Sequence, residues 1–236
     1  MISVALPVFN QLKILPVALE SLCNQECICK WELIICTEDS IEHIIEPYIK
    51  RLNAAGCINI LIDKLKEWIP LPQKWKRIGE LMDTNSLGMM LQAADCYGHK
   101  HRIAFSYAAM VLGFDWYHER KGYFFDIASF TLAEYNKREN HTFLNMCMAA
   151  KHAKCIPFCT LSRNIDYYLL SSIRNPKIFT HEENLGGVDF NGFQNISNKR
   201  GEMIANFTYP FFRVKVNVTD IISQKILTMA INRETR

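Results

Sequence analysis

At 236 residues, of which 49% are apolar and 22% charged, the chain is long enough to bury a large core and too hydrophobic to stay disordered. Its 27 basic and 24 acidic side chains leave a formal charge of +3, which makes no electrostatic case for a nucleic-acid binder and does not oppose an anionic ligand. No signal peptide is expected from the opening MISVALP, and no apolar stretch is long enough to cross a bilayer. Nine cysteines, an odd number, point to reduced thiols in a cytoplasmic setting, so the sequons at Asn140, Asn195, Asn206 and Asn217 are read as chance matches.

Residues 2–9 (ISVALPVF) form a short β-rich run that stops at Asn10, with Pro7 near its end. Residues 12–22 then carry apolar side chains at helical spacing, and Pro16 places the helix start near residues 13–17. A second strand, 31–36 (WELIIC), ends in the polar turn Thr37-Glu38-Asp39-Ser40, and residues 41–54 read as a helix closed by Gly56. Residues 57–62 (CINILI) are a third strand. A basic segment at 72–77 (PQKWKR) and an amphipathic 78–82 lead to the apolar run 87–97 (LGMMLQAADCY), which reads as a fourth strand buried on both faces. Residues 99–113 are the helix that follows.

Strand–helix alternation with near-continuous apolar strands predicts an α/β fold, a Rossmann-like doubly wound and mostly parallel sheet. Beyond Gly113 the pattern changes to antiparallel and helical elaboration of the same single domain, 1–236. Residues 114–130 are aromatic and alternating, with a hairpin expected at Arg120-Lys121-Gly122; 143–155 reads as a strand and a short helix; 164–173 as a helix with Asp166 near its start. Residues 177–200, with Gly186, Gly187 and Gly192, read as a mobile loop, 214–218 as a late strand and 221–231 as a terminal helix.

Several chemistries are disfavoured by missing motifs. There is no Gly-x-Gly-x-x-Gly after the first strand, no phosphate loop ending in Gly-Lys-Ser/Thr, and no Gly-x-Ser-x-Gly elbow. Cys23, Cys27, Cys29 and Cys36 lack the paired spacing of structural zinc sites, as do Cys155 and Cys159. What remains is a set of polar residues at strand ends: Asn10 after the first, Glu38 and Asp39 after the second, Asp95 after the fourth, with Lys74, Lys76 and Arg77 between the third and fourth. Each could be a turn or cap residue; together they outline a nucleotide cleft.

The segments 2–10 (ISVALPVFN), 18–25 (ALESLCNQ) and 31–36 (WELIIC) resemble the amino-terminal half of family 2 glycosyltransferases of the GT-A fold, over about the first hundred residues. The resemblance implies a nucleotide-sugar transferase, with a nucleotide-sugar-binding half at 1–113 and an acceptor-binding half at 114–236. It assigns Pro7, Phe9, Asn10 and Glu38 to the nucleoside and Lys74 or Lys76 to the donor phosphates; independently, the glycines and polar groups of residues 184–200 read as a lid over the donor, with Ser197 and Arg200 within reach of a diphosphate. The family's Asp-x-Asp-Asp signature falls on Gln92-Ala93-Ala94-Asp95, so only its last acid survives.

That resemblance implies Mn²⁺ or Mg²⁺ on Asp95; His181 in the loop and His99 beside the strand end are the candidates for a second ligand. It implies Asp166 as the base that takes the acceptor hydroxyl's proton in an inverting reaction, with Glu139 and Asp126 in reserve. The donor expected is a UDP-sugar; the acceptor is left open among saccharide, lipid carrier, protein and modified nucleobase. The competing reading is a noncatalytic nucleotide- or sugar-binding module whose acidic signature has eroded.

Overall fold

The computed structural model describes residues 1–126, 131–136, 146–160, 165–191 and 211–213. Three apolar strands, β1 (Ile2–Val8), β2 (Trp31–Thr37) and β3 (Cys57–Lys64), are parallel and joined through helices, as their continuous hydrophobicity requires. Helix α1 (Leu15–Cys23) takes Pro16 in its first turn, where the missing N–H costs nothing. The next connection is less regular than the sequence pattern. Pro47 interrupts residues 41–54, leaving α2 (Glu42–Ile45), a single 3₁₀ turn (Glu46–Tyr48) and α3 (Ile49–Ala54).

After α4 (Leu71–Leu81) the chain crosses β1 and lays β4 (Gly88–Leu91) on its other side, parallel to it. The order β4-β1-β2-β3 therefore reverses direction at β1, which makes the β1/β4 boundary the topological switch point. The apolar run 87–97 is not one strand. It breaks after Leu91 into a turn and resumes as β5 (Cys96–Tyr97), because the buried Gln92 donates its carboxamide to the carbonyls of Ala93 and Cys96, both at 2.8 Å. Helix α5 (Arg102–Val111) follows.

The second half extends the same sheet. The hairpin expected at 120–122 is absent: β6 (Trp116–Asp126) runs straight through, and its antiparallel partner β7 (Thr131–Asn136) returns later. Gly122 is a strand glycine beside a register shift, a bulge position and not a turn. Strand β8 (Cys147–Ala149) joins β4 to β6, and α6 (Ala150–Ala153) and α7 (Ile165–Ser171) pack on one face. The loop expected at 177–200 is in its first part β9 (Ile178–Asn191), parallel to β6 and antiparallel to β5. Its polar composition hid it: Glu182 and Glu183 are exposed while the backbone pairs with β6 and, at Val188 and Asp189, with β5. Strand β10 (Phe211–Arg213) pairs with β7. The predicted elements at 214–218 and 221–231 lie outside the described residues.

Two apolar layers sandwich the sheet. One packs α1, α3 and α5 against Val4, Leu6, Leu33, Ile35 and Met90. The other packs α4, α6 and α7, through Trp75, Ile78, Ala153, Leu169 and Leu170, against Ala5, Ile34, Met89 and Trp116.

Candidate active site

At the switch point the carboxyl ends of β1 and β4 part company. The Gln92 N–H still donates to the Ala5 carbonyl (2.8 Å), but β4 has ended while β1 continues to Val8. Along β1 the even residues face β2, as the bond from the Ile2 N–H to the Lys30 carbonyl shows, and the odd ones face β4. Pro7 thus points its missing N–H at the side where no strand remains, which explains a proline inside a central strand. Past it, Phe9 is half-buried and Asn10 is exposed with φ of 53°, a left-handed turn that asparagine tolerates.

One wall of this crevice is ionic and aromatic. Lys74 of α4 is only 2% exposed, and its Nζ donates to the Val8 carbonyl (2.6 Å) and to Glu38 Oε2 (2.5 Å). The other Glu38 oxygen accepts from the Ile69 N–H (3.2 Å). Lys74 also lies 5.4 Å from the Phe9 ring centroid, and Phe9 meets the half-exposed Trp68 at 6.0 Å. Lys74, Glu38 and Phe9 are therefore brought together, but Lys74 and Glu38 spend their charges on each other and on backbone. Lys76 stands apart, roughly 200° around the helix from Lys74, in an i,i+4 pair with Glu80.

Two neighbours belong to the same wall. Asp39 keeps a buried Oδ2 with no hydrogen-bond partner among the described residues, so it, more than Glu38, retains acceptor capacity at the end of β2. Trp68 offers an exposed ring beside Phe9. Neither carried a motif; the connection after β3 places Trp68, and the Glu38–Lys74 pair leaves Asp39 uncommitted.

The opposite wall is the turn between β4 and β5. Asp95 is half-buried there, with the Cys96 Sγ 3.8 Å from its Oδ1. Gln92, standing where the signature's first acid would be, faces inward; besides its two backbone bonds it accepts from the fully buried Arg102, which also donates to the Leu91 carbonyl. Burial pushes the Arg102 guanidinium down from its ordinary value while the Glu119 carboxylate opposes this, and an arginine remains charged regardless. Glu119, itself buried, accepts from the Tyr117 hydroxyl (3.0 Å) and from His99 Nε2 (2.7 Å). Ser21 and Gln25 of the α1 end hold the segment after the turn. The Gly98 N–H donates to Ser21 Oγ (2.8 Å), and Gln25 bridges the His99 carbonyl (2.9 Å) and the Ile103 N–H (3.0 Å).

The two candidate histidines are placed differently. His99 Nδ1 accepts from the His101 N–H (3.3 Å), so Nε2 carries the proton donated to Glu119, and both nitrogens are engaged. His181 meets Phe105 with ring centroids 5.4 Å apart in a tilted arrangement and pairs in register with Glu119, the residue that His99 bonds. The β9 residue opposite Cys96 is Asp189. No group of three His, Cys, Asp or Glu side chains positioned to hold a metal occurs among the described residues.

Asp166 lies in the first turn of α7, which packs Leu169 and Leu170 into the layer containing Trp116 and Met89. Asp126 ends β6, paired in register with Thr131 and Asn191. Glu139, Ser197 and Arg200 lie outside the described residues.

Solved structures share this architecture. Staphylococcus aureus TarS residues 1–349 in complex with UDP-GlcNAc superposes with a TM-score of 0.65 at 14% identity, covering 98% of this chain and 72% of that one. Glucosyl-3-phosphoglycerate synthase from Mycobacterium tuberculosis, in complex with Mn²⁺, UDP and glucosyl-3-phosphoglycerate, gives 0.52 at 9% identity, covering 100% and 80%. The fold is that of the GT-A glycosyltransferases. In the TarS 1–349 structure without a named ligand, this chain spans 60% of the length, with a TM-score of 0.62 at 15% identity and 80% of this chain covered. No protein-family model matches the sequence, and no curated protein sequence does. No described helix is long and apolar enough to cross a membrane.

Proposed function

We propose that the protein transfers a sugar from a nucleoside diphosphate, a UDP-sugar, to an acceptor hydroxyl with inversion, as family 2 glycosyltransferases do. The observation that carries this reading is the crevice at the β1/β4 switch point of a GT-A fold, walled by Phe9, Trp68, Asp39 and the Glu38–Lys74 pair on one side and by the Asp95 turn on the other. Solved structures of the same fold hold UDP and UDP-GlcNAc. In this reading the uracil lies against Phe9 and Trp68, with Asp39 accepting from its ring N–H and Lys74 keeping Glu38 and the end of β1 in place.

The residues fit a divalent ion only as a companion of the donor. Asp95 offers one carboxylate, Gln92 is committed to backbone and Arg102, and both His99 nitrogens are engaged, so diphosphate oxygens and water would have to complete the coordination of Mn²⁺ or Mg²⁺. Such an ion supplies charge stabilisation to the departing diphosphate. The chain's own residues do the rest: Asp95 orients that end of the donor, and Asp166 removes the acceptor hydroxyl's proton as its oxygen attacks the anomeric carbon. A cytoplasmic setting suits nine cysteines that are all free thiols.

The inward turn of Gln92 favours a second reading, a donor-binding module without turnover. Calorimetric titration with UDP, with and without Mn²⁺, followed by mass spectrometry of products from a panel of UDP-sugars and acceptors, separates the two. Binding with turnover that Asp166→Asn abolishes supports the transferase; binding with no product from any pair supports the module; no UDP uptake in either condition removes both.

A further inference from the structure

The end of the sheet opposite the crevice carries a surface that the proposed transfer does not use. Trp116, the first residue of β6, stands level with Met148 of β8 and through it with Met89 near the start of β4, so the α5–β6 connection lies away from Asp95. Helix α5 finishes there in Val111 and Leu112, which are 58% and 65% exposed, while Ile103, Ala109 and Met110 of the same helix are buried. Gly113 follows with a φ of 77° and open space where a side chain would stand. Phe114 then meets the exposed Phe179 of β9, ring centroids 5.2 Å apart.

Cations stand beside these apolar side chains. Lys177 Nζ lies 4.8 Å from the Phe114 ring centroid, and the Lys177 N–H donates to Asp115 Oδ2 (2.9 Å). Asp115 Oδ1 accepts from Lys151 Nζ (2.6 Å), whose side chain is 68% exposed, and meets His152 Nε2 at 3.0 Å. Arg174 is exposed three residues before Lys177. One carboxylate thus ties together the start of β6, α6 and the turn before β9, and Lys151, Arg174 and Lys177 outnumber it.

We propose that this end of the protein docks on an anionic lipid bilayer, with Val111, Leu112 and Phe179 entering the interface and Lys151, Arg174 and Lys177 lying among the headgroups. The apolar tip gains by leaving water, and the long basic side chains keep their charged ends at the headgroup level. Both halves of the surface fit this occupant. A second copy of the chain would set the same cations face to face, and a nucleic acid would leave Val111 and Leu112 in water. A tip of this size gives peripheral, reversible attachment, strengthened by the negative potential of the leaflet. Docking through it leaves the crevice at the other end of the sheet open to water.

The test is co-sedimentation of the full chain with vesicles of phosphatidylcholine alone and of equimolar phosphatidylcholine and phosphatidylglycerol. Binding is expected to the mixed vesicles, about tenfold or more weaker to phosphatidylcholine, and lost in about 1 M salt, where screening shortens to about 3 Å. Lys177→Gln and Arg174→Gln should each weaken it about fivefold, and Leu112→Glu about tenfold or more. A measurement on the unaltered protein stands independently of how those variants fold: on mixed vesicles, amide hydrogen exchange should slow in residues 111–114 and 177–180 and stay unchanged in 95–97. No sedimentation with mixed vesicles, equal binding to both kinds, binding indifferent to Leu112→Glu, or self-association through this face in place of vesicle binding would overturn the proposal.

Discussion

The fully buried Arg102 is the residue whose removal tests the architecture of the site most severely. Its guanidinium holds Gln92 and the Leu91 carbonyl, Gln92 holds the Ala93 and Cys96 carbonyls, and Glu119 supplies the countercharge. Arg102→Met keeps much of the volume but deletes two charge-assisted hydrogen bonds and removes the buried cation whose charge the Glu119 carboxylate feels. Breaking one member of a buried ionic arrangement costs about 3–5 kcal/mol. In a chain of this size that lowers Tm by about 10 °C. Glu119→Gln still accepts from His99 and Tyr117 but no longer needs a cation, so Arg102→Met should cost at least about 1 kcal/mol less in that background. Urea unfolding of the four proteins in the cycle gives both numbers. A single-variant loss under about 1 kcal/mol, or equal losses in the two backgrounds, would refute the claim that this cluster is electrostatically coupled. At a temperature where Arg102→Met is folded, UDP should bind at least fivefold more weakly, because the Asp95 turn has lost its anchor.

Lys74→Met leaves Glu38 half-buried and unpaired, and should destabilise by about 2–3 kcal/mol, with part of the loss recovered in the Lys74→Met/Glu38→Gln double variant by thermal melting. Gly79→Ala, normally worth about 1 kcal/mol to a helix, should instead destabilise by about 2 kcal/mol or more in urea, because its Cβ would meet the Ala153 carbonyl oxygen at 2.1 Å. Burial, assisted by Arg120, pushes the His118 imidazole down from 6.5 to about 4. The unfolded chain therefore binds the extra proton between those values, and stability present above pH 6.5 is lost as the pH falls toward 4, by about 3 kcal/mol. His118→Gln should flatten that part of the stability–pH curve relative to the parent; parallel curves would refute the assignment.

The sequence by itself determined the parallel half. Continuous apolar runs at β1, β2 and β3, separated by helical periodicity, leave few arrangements besides a covered parallel sheet, and the polar residues at their carboxyl ends marked the edge where a ligand would lie. The register of the side chains there was not legible. Asn10, Glu38 and Asp95 sit at strand ends as read, but whether a carboxylate faces a ligand or a lysine depends on what packs behind it. Only the structure shows Glu38 spent on Lys74 and Asp39 left uncommitted.

Tertiary pairing decided the rest. The run 87–97 looks like one strand because Gln92 and Asp95 are lost in its hydrophobicity; the Gln92 carboxamide, held by the buried Arg102 ten residues later, breaks it. Residues 178–191 look like a loop because a strand paired on both backbone edges can keep charged side chains such as Glu182, ion-paired with Arg120, on its solvent face. His99 and His181 looked alike as candidate ligands. One is fastened at both nitrogens, to Glu119 and to the His101 N–H, and the other lies against Phe105 on β9, distinctions set by contacts between residues distant in the chain, which local pattern does not encode.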